Sequence, residues 1–193
     1  MKIQIILAGI GGQGILFASR VFSELGLKLG LDIMGSETHG MSQRGGSVIA
    51  HIKLGDFHSP LIREGTADIL YSFEKNETYR TLKFLKRGGA CFASIERKDA
   101  FDRKVLDRLK KKGISFRAFD ADRAASEIGS ILTSNIGLIG YSVGTGLAPF
   151  NYEDVKSVVK YLSQKKKQEI NLTAFEKGFE EGKKLQSDSG TQL

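Results

Sequence analysis

A single cysteine, Cys91, is all the thiol that this 193-residue chain contains. One thiol excludes an internal disulfide and falls short of the roughly four thiolates that hold an iron–sulfur cluster. Its surroundings, ACFASI, are apolar, so it reads as a small buried hydrophobe and not as a nucleophile. Long apolar runs are missing too: nothing approaches the roughly 20 residues of a membrane span. The N-terminus has no basic region leading into an apolar stretch and cleavage site, so the expected location is the cytoplasm, with no membrane partner. Neither G-x-x-x-x-G-K-[ST] nor H-E-x-x-H occurs, which removes the ordinary P-loop and zincin readings, and no metal site is expected. The formal charge of +7 comes without a zinc-finger, aromatic-stacking or basic-zipper pattern, so nucleic acid is not an expected partner. The densest lysine block, SQKKKQE at 163–169, reads as a solvated charged loop between helices; scattered positive charge suits an anionic ligand or an acidic partner.

What is present describes a folded α/β chain. Apolar residues are 40% and charged residues 26%, and the length fits one core. KIQIIL reads as a strand, and Ile15 to Leu29 carries apolar residues at helical spacing. LDIMGS reads as a second strand, THGMSQRGGS as a polar loop, and VIAHIKLG as a third strand. DILYSF and ACFASI read as buried strands flanking a helix from about Glu74 to Lys86, stopped by RGG. An amphipathic helix closed by Gly113, the strand ISFRAFD and a helix in ADRAASEIG follow; from Ser134 the chain turns helical, with Asn151 as an N-cap. The order predicts a Rossmann-like, doubly wound, mostly parallel sheet with helices on both faces and a helical C-terminal segment. Residues 1–185 are expected to form one domain, with 186–193 a flexible tail.

Gly9, Gly11 and Gly14 satisfy G-x-G-x-x-G between a strand and a helix, so the turn is placed to present backbone N–H groups to an anion. A dinucleotide site also wants an acidic residue ending the second strand, and the candidate, Glu37, lies slightly beyond it in the polar loop. A stand-alone dinucleotide-binding protein therefore stays as the alternative. GYSVG at Gly140–Gly144 matches G-x-S-x-G, yet His39, His51 and His58 all precede Ser142, whereas α/β-hydrolases place the histidine after the serine. Small residues there point to close helix packing.

The segment SETHGMSQRGGSV, Ser36 to Val48, is too polar for a core and suits a shaped surface. Following the second strand, it should lie beside the glycine turn on one sheet edge. Candidate ligand contacts are Gly9, Gly11, Gly12, Gln13 and Gly14 from the turn, and Ser36, Thr38, His39, Gln43 and Arg44 from the polar segment. Arg44 offers a planar fork for phosphate or carboxylate.

GIGGQGI with SETHGMSQRGGSV, followed by DILYSFEKNETYRTLKFLKRGG and EINLTAFEKGFEEG, resembles the gamma-type subunits of 2-oxoacid:ferredoxin oxidoreductases, and within them the small subunits of indolepyruvate-type enzymes. The resemblance runs from about Ile3 to Gly182. It implies a subunit, inactive alone, of an enzyme that oxidatively decarboxylates a 2-oxoacid, with aryl pyruvates as the expected substrate class. It also implies that thiamine diphosphate and iron–sulfur clusters sit on a partner subunit, that electrons reach ferredoxin through that partner, and that coenzyme A is co-substrate. No cofactor is expected on this chain alone, no catalytic residue is assigned, and self-association of the isolated chain is left open.

Overall fold

The computed structural model describes residues 1–39, 45–96 and 101–189. Six strands, β1 (Ile3–Ile10), β2 (Ile33–His39), β3 (Ser47–Leu54), β4 (Ala67–Ser72), β5 (Leu85–Ser94) and β6 (Ser115–Phe119), form one sheet in the order β2-β3-β1-β4-β5-β6. Strands β1, β4, β5 and β6 are parallel, while β3 is antiparallel to both β1 and β2. The predicted fold class holds, and within the mostly parallel sheet the second and third strands pair as an antiparallel hairpin.

The helices are α1 (Ile15–Lys28), α2 (Lys75–Thr81), α3 (Arg103–Lys111), α4 (Ala121–Glu127), α5 (Ser134–Gly144), α6 (Tyr152–Leu162) and α7 (Lys165–Ser189). Two apolar cores result, one on each sheet face. Alternation along β1 sends Ile3, Ile5 and Leu7 to one core, with α1 and α5, and Ile6 and Ala8 to the other, with α3.

Capping decides several boundaries. Asn151 accepts from Asp154 N at 2.8 Å and Asp102 from Lys104 N at 2.7 Å, giving α6 and α3 their first turns. Gly113, in the left-handed region, ends α3 as read from sequence. Helix α2 stops at Thr81, short of the expected Lys86; a 3₁₀ turn over Leu82–Phe84 hands the chain to β5, whose pairing with β4 shifts register between Ala67 and Ile69. The block expected to be a charged loop at 163–169 is instead largely the first turns of α7, because Lys, Gln and Glu are good helix formers; its lysines are exposed, as expected. Helix α7 continues to Ser189, past the expected boundary at 185, and residues 190–193 lie outside the described ones.

Helices α5 and α7 approach at backbone distance. A Cβ on Gly140 would fall inside the Phe175 carbonyl oxygen, one on Gly144 inside that of Phe179, and one on Gly178 inside that of Gly137. GYSVG is therefore a packing motif. Ser142 is fully buried, donates to Ile139 O at 2.7 Å and shares a hydrogen bond of 2.8 Å with Tyr71.

At the sheet edge, Phe119 O turns inward to accept from Ile95 N at 3.1 Å, so the alternate carbonyls of β6 turn outward. Both are occupied: Tyr141 donates its hydroxyl to Ala118 O at 3.1 Å and Arg117 its guanidinium to Phe116 O at 3.2 Å, which blunts the edge against strand addition.

Candidate functional site

Because β2 and β1 point the same way, the end of β2, the start of β3 and the turn after β1 share the carboxyl edge of the sheet. The expected neighbourhood of glycine turn and polar segment is met, and a backbone bond joins them: Gly11 N donates to Gly46 O at 2.9 Å. A second tether fixes the hairpin root. Ser47 Oγ donates to Glu77 Oε2 at 2.7 Å, and Glu77, only 4% exposed, has Arg80 at 3.7 Å.

Inside the turn, Gly12 (φ 105°) and Gly14 (φ 73°) occupy the left-handed region that only glycine adopts cheaply. Gln13 N donates back to Ile10 O at 3.2 Å. The Gln13 side chain works inward: its Oε1 accepts from Ile10 N and its Nε2 donates to Phe73 O, each at 2.9 Å, lacing the end of β1 to the end of β4. A Cβ on Gly9 would lie 2.6 Å from Gln13 Oε1 and push that oxygen off Ile10 N. Gly11 N and the Gln13 side chain are thus bonded within the protein and shape the turn. Gly12 and Gly14 remain on a surface.

That surface is a cleft of about 380 Å³ lined by Gly12, Gly14, Phe17, Arg20, Leu132, Thr133, Asn135 and, from the α6–α7 junction, Gln164, Lys167 and Asn171. Asn135 donates to Gly14 O at 2.8 Å and accepts from Ile136 N at 2.8 Å, so the start of α5 is keyed to the N-cap of α1. Asn171 donates to Ser163 Oγ at 2.7 Å. Arg20 and Lys167 are exposed and have no ion pair among the described residues, leaving two positive charges for an incoming anion. Leu16, in the first turn of α1, and Leu132, lining the cleft, expose 52% and 64% of their surfaces.

The polar segment is less of a loop than its composition implies. Ser36, Thr38 and His39 lie in β2 opposite His51, Ile49 and Val48. Ser36 is half-buried and Thr38 exposed. Gln43 and Arg44 lie outside the described residues. Arg20 and Lys167 were not read as site residues. Arg20 was legible as a cation one helical turn beyond Phe17 on a mostly apolar helix, whereas Lys167 was hidden in its lysine run.

A dinucleotide fits this edge poorly. Glu37 sits within β2, and β3 stands between β2 and β1, so Glu37 is carried one strand spacing, roughly 5 Å, beyond the strand next to β1 where a ribose-binding acid would lie. Two of the turn's N–H groups are already used internally. The lone thiol offers no cluster ligand either: Cys91 is fully buried in β5 and burial pushes its pKa far up, leaving it inert.

Residues 4–181 match the family model described as pyruvate ferredoxin/flavodoxin oxidoreductase. Indolepyruvate oxidoreductase subunit IorB of Thermococcus kodakarensis is 36% identical over 194 residues, covering 94% of this chain and 96% of that one. Among solved structures, the gamma subunit of a keto/oxoacid ferredoxin oxidoreductase from Geobacter sulfurreducens superposes with TM-score 0.72 at 23% identity, covering 94% of this chain and 99% of that one. A 2-oxoglutarate:ferredoxin oxidoreductase from Magnetococcus marinus, solved with 2-oxoglutarate, coenzyme A and succinyl-CoA bound, superposes with TM-score 0.76 at 19% identity over 95% of this chain and 31% of that longer one. At those identities the two structures speak to the fold.

Proposed function

The chain belongs to the pyruvate ferredoxin/flavodoxin oxidoreductase family, and from that premise we propose that it is the cluster-free subunit of a 2-oxoacid:ferredoxin oxidoreductase acting on indolepyruvate and related aryl pyruvates. Thiamine diphosphate and iron–sulfur clusters, carried by the partner, supply decarboxylation and the electron path to ferredoxin. This chain contributes the carboxyl edge of its sheet. The exposed Leu16 and Leu132 meet the partner, and the cleft beside Gly12 and Gly14 receives phosphate groups of coenzyme A, with Arg20 and Lys167 supplying the charge. None of these residues acts as an acid, base or nucleophile; they bind and orient.

The observation that carries the reading is the cleft itself: a glycine turn keyed to α5 through Asn135, flanked by exposed leucines and by two cations with no ion pair among the described residues. The substrate class rests on the likeness to an indolepyruvate oxidoreductase subunit across almost the entire chain. Its test is reconstitution under anaerobic conditions of this chain with the thiamine- and cluster-bearing subunit, assayed for acceptor reduction with indolepyruvate, pyruvate and 2-oxoglutarate. Turnover that needs both chains and coenzyme A, and is fastest with indolepyruvate, supports it. Turnover by the partner alone at the same rate, or a preference for 2-oxoglutarate, contradicts it.

A further inference from the structure

The opposite, amino-terminal edge of the sheet carries a second concentration of charge. A groove of about 350 Å³ lies between α3 and the start of β5, floored by Leu82, Val105, Leu109 and Ile114. Its rim is Lys83, Arg87, Arg108, Lys111 and Lys112, with no acidic residue in the lining. Lys83 is paired with Glu64 at 2.6 Å; the other four cations have no ion pair among the described residues. The walls are fixed: Gly88 N donates to Lys112 O at 3.1 Å, tying the β5 bulge to the end of α3.

A structural explanation accounts for only part of this charge. Cations in the last turn of a helix complement its dipole, but that dipole amounts to about half an elementary charge. Four cations without an ion pair among the described residues repel each other around one groove, an arrangement that carboxylates arriving together would relieve. The floor selects between polyanions. It is aliphatic, without an aromatic ring on which a base would stack, so single-stranded nucleic acid gains little there beyond phosphate contacts.

We propose that this groove docks an acidic segment of a partner polypeptide, an aliphatic side chain entering between Val105 and Leu109 while neighbouring Asp or Glu residues engage Arg87, Arg108, Lys111 and Lys112. Since β5 and β6 begin at this edge and the glycine turn follows the end of β1, the groove and the cleft are separated by about a strand's length, roughly 20 Å or more. Docking here leaves the cleft open, so both faces serve at once.

The experiment is a fluorescence-anisotropy titration of the full chain with a labelled synthetic peptide in which one leucine is flanked by aspartates and glutamates. Saturable binding is expected. It should weaken about tenfold or more in the double variant Arg87→Glu/Arg108→Glu, and measurably when the peptide's leucine becomes serine. The equal charge change Lys160→Glu/Lys166→Glu, far from the groove, should leave affinity unchanged. All four positions are exposed, and Arg108 and Lys160 each sit in the last turn of a helix, so both double variants should melt slightly and equally below wild type. Equal weakening by both double variants, or an oligouridylate of matched charge binding as tightly as the peptide, would overturn the proposal.

Discussion

The side-chain amide of Asn135 donates to the carbonyl oxygen of Gly14 at 2.8 Å, joining helix α5 to the turn after β1 across 121 positions of sequence. The contact is tight enough that a Cβ on Gly14 would collide with that amide. Asn135 is 2% exposed and its oxygen accepts from Ile136 N, so both ends of the amide are used. Replacing it leaves the buried Ile136 N without its acceptor, while Gly14 O keeps only the bond from Ala18 N at 3.0 Å. Asn135→Ala should lower unfolding free energy by about 1–3 kcal/mol in urea titration. Asn135→Leu should cost at least as much, since a similar volume without the amide leaves Ile136 N equally unpaired.

Gln13 makes a sharper chemical test. Gln13→Glu keeps an oxygen to accept from Ile10 N and replaces the Nε2 donor with a second acceptor facing Phe73 O. The carboxylate variant should therefore lose about 1–3 kcal/mol despite its near-identical shape. Stability equal to wild type would show that the lacing between β1 and β4 is dispensable.

Two glycines of α5 should respond in opposite ways. Gly140→Ala drives a methyl group into the Phe175 carbonyl, and with backbone as the obstacle the helices must separate; a loss of more than about 3 kcal/mol is expected. At Gly137 the nearest atom to a new Cβ is Ala174 O at 3.6 Å, ordinary contact, so Gly137→Ala should be neutral or stabilising by up to about 1 kcal/mol. Thermal melts of the pair separate backbone approach from a general need for small residues.

Acid should loosen the chain through His51. Its Nδ1 accepts from Ile62 N at 3.1 Å, and its ring meets Phe84 edge-on. Burial, and then the nearby Lys53 charge, hold its pKa below 6.5. The folded state thus binds a proton less readily than the unfolded one. The stabilisation is fully present above the unfolded value near 6.5 and is lost as pH falls from there through the folded value. His51→Gln retains an acceptor but cannot titrate. Melting temperature followed from about pH 7.5 to 5 should fall more steeply for wild type than for His51→Gln.

The glycine turn, the first helix and the alternation of strands and helices were legible because hydrophobic period and turn chemistry are local signals. Pairing direction is not local, and nothing in VIAHIKLG says that it runs against KIQIIL. Thr38 and His39 looked like loop because β2 is an edge strand, where polar residues are normal. Arg20, Lys167 and Asn135 come from α1, α7 and α5, and only the packing of α5 against α1 and α7 makes them neighbours. Gln13 shows another limit: a polar residue in a phosphate-loop pattern reads as a ligand contact, and nothing local announces its two bonds to Ile10 and Phe73.

The most direct measurement is purification of the tagged full chain from its native host without oxygen, identifying by mass spectrometry what accompanies it. A co-purifying chain that carries thiamine diphosphate and iron–sulfur clusters, released when Leu16→Glu and Leu132→Glu are introduced at the glycine-turn edge, is the expected result. A chain that emerges alone with a bound nicotinamide or flavin would contradict it and return the glycines to a dinucleotide.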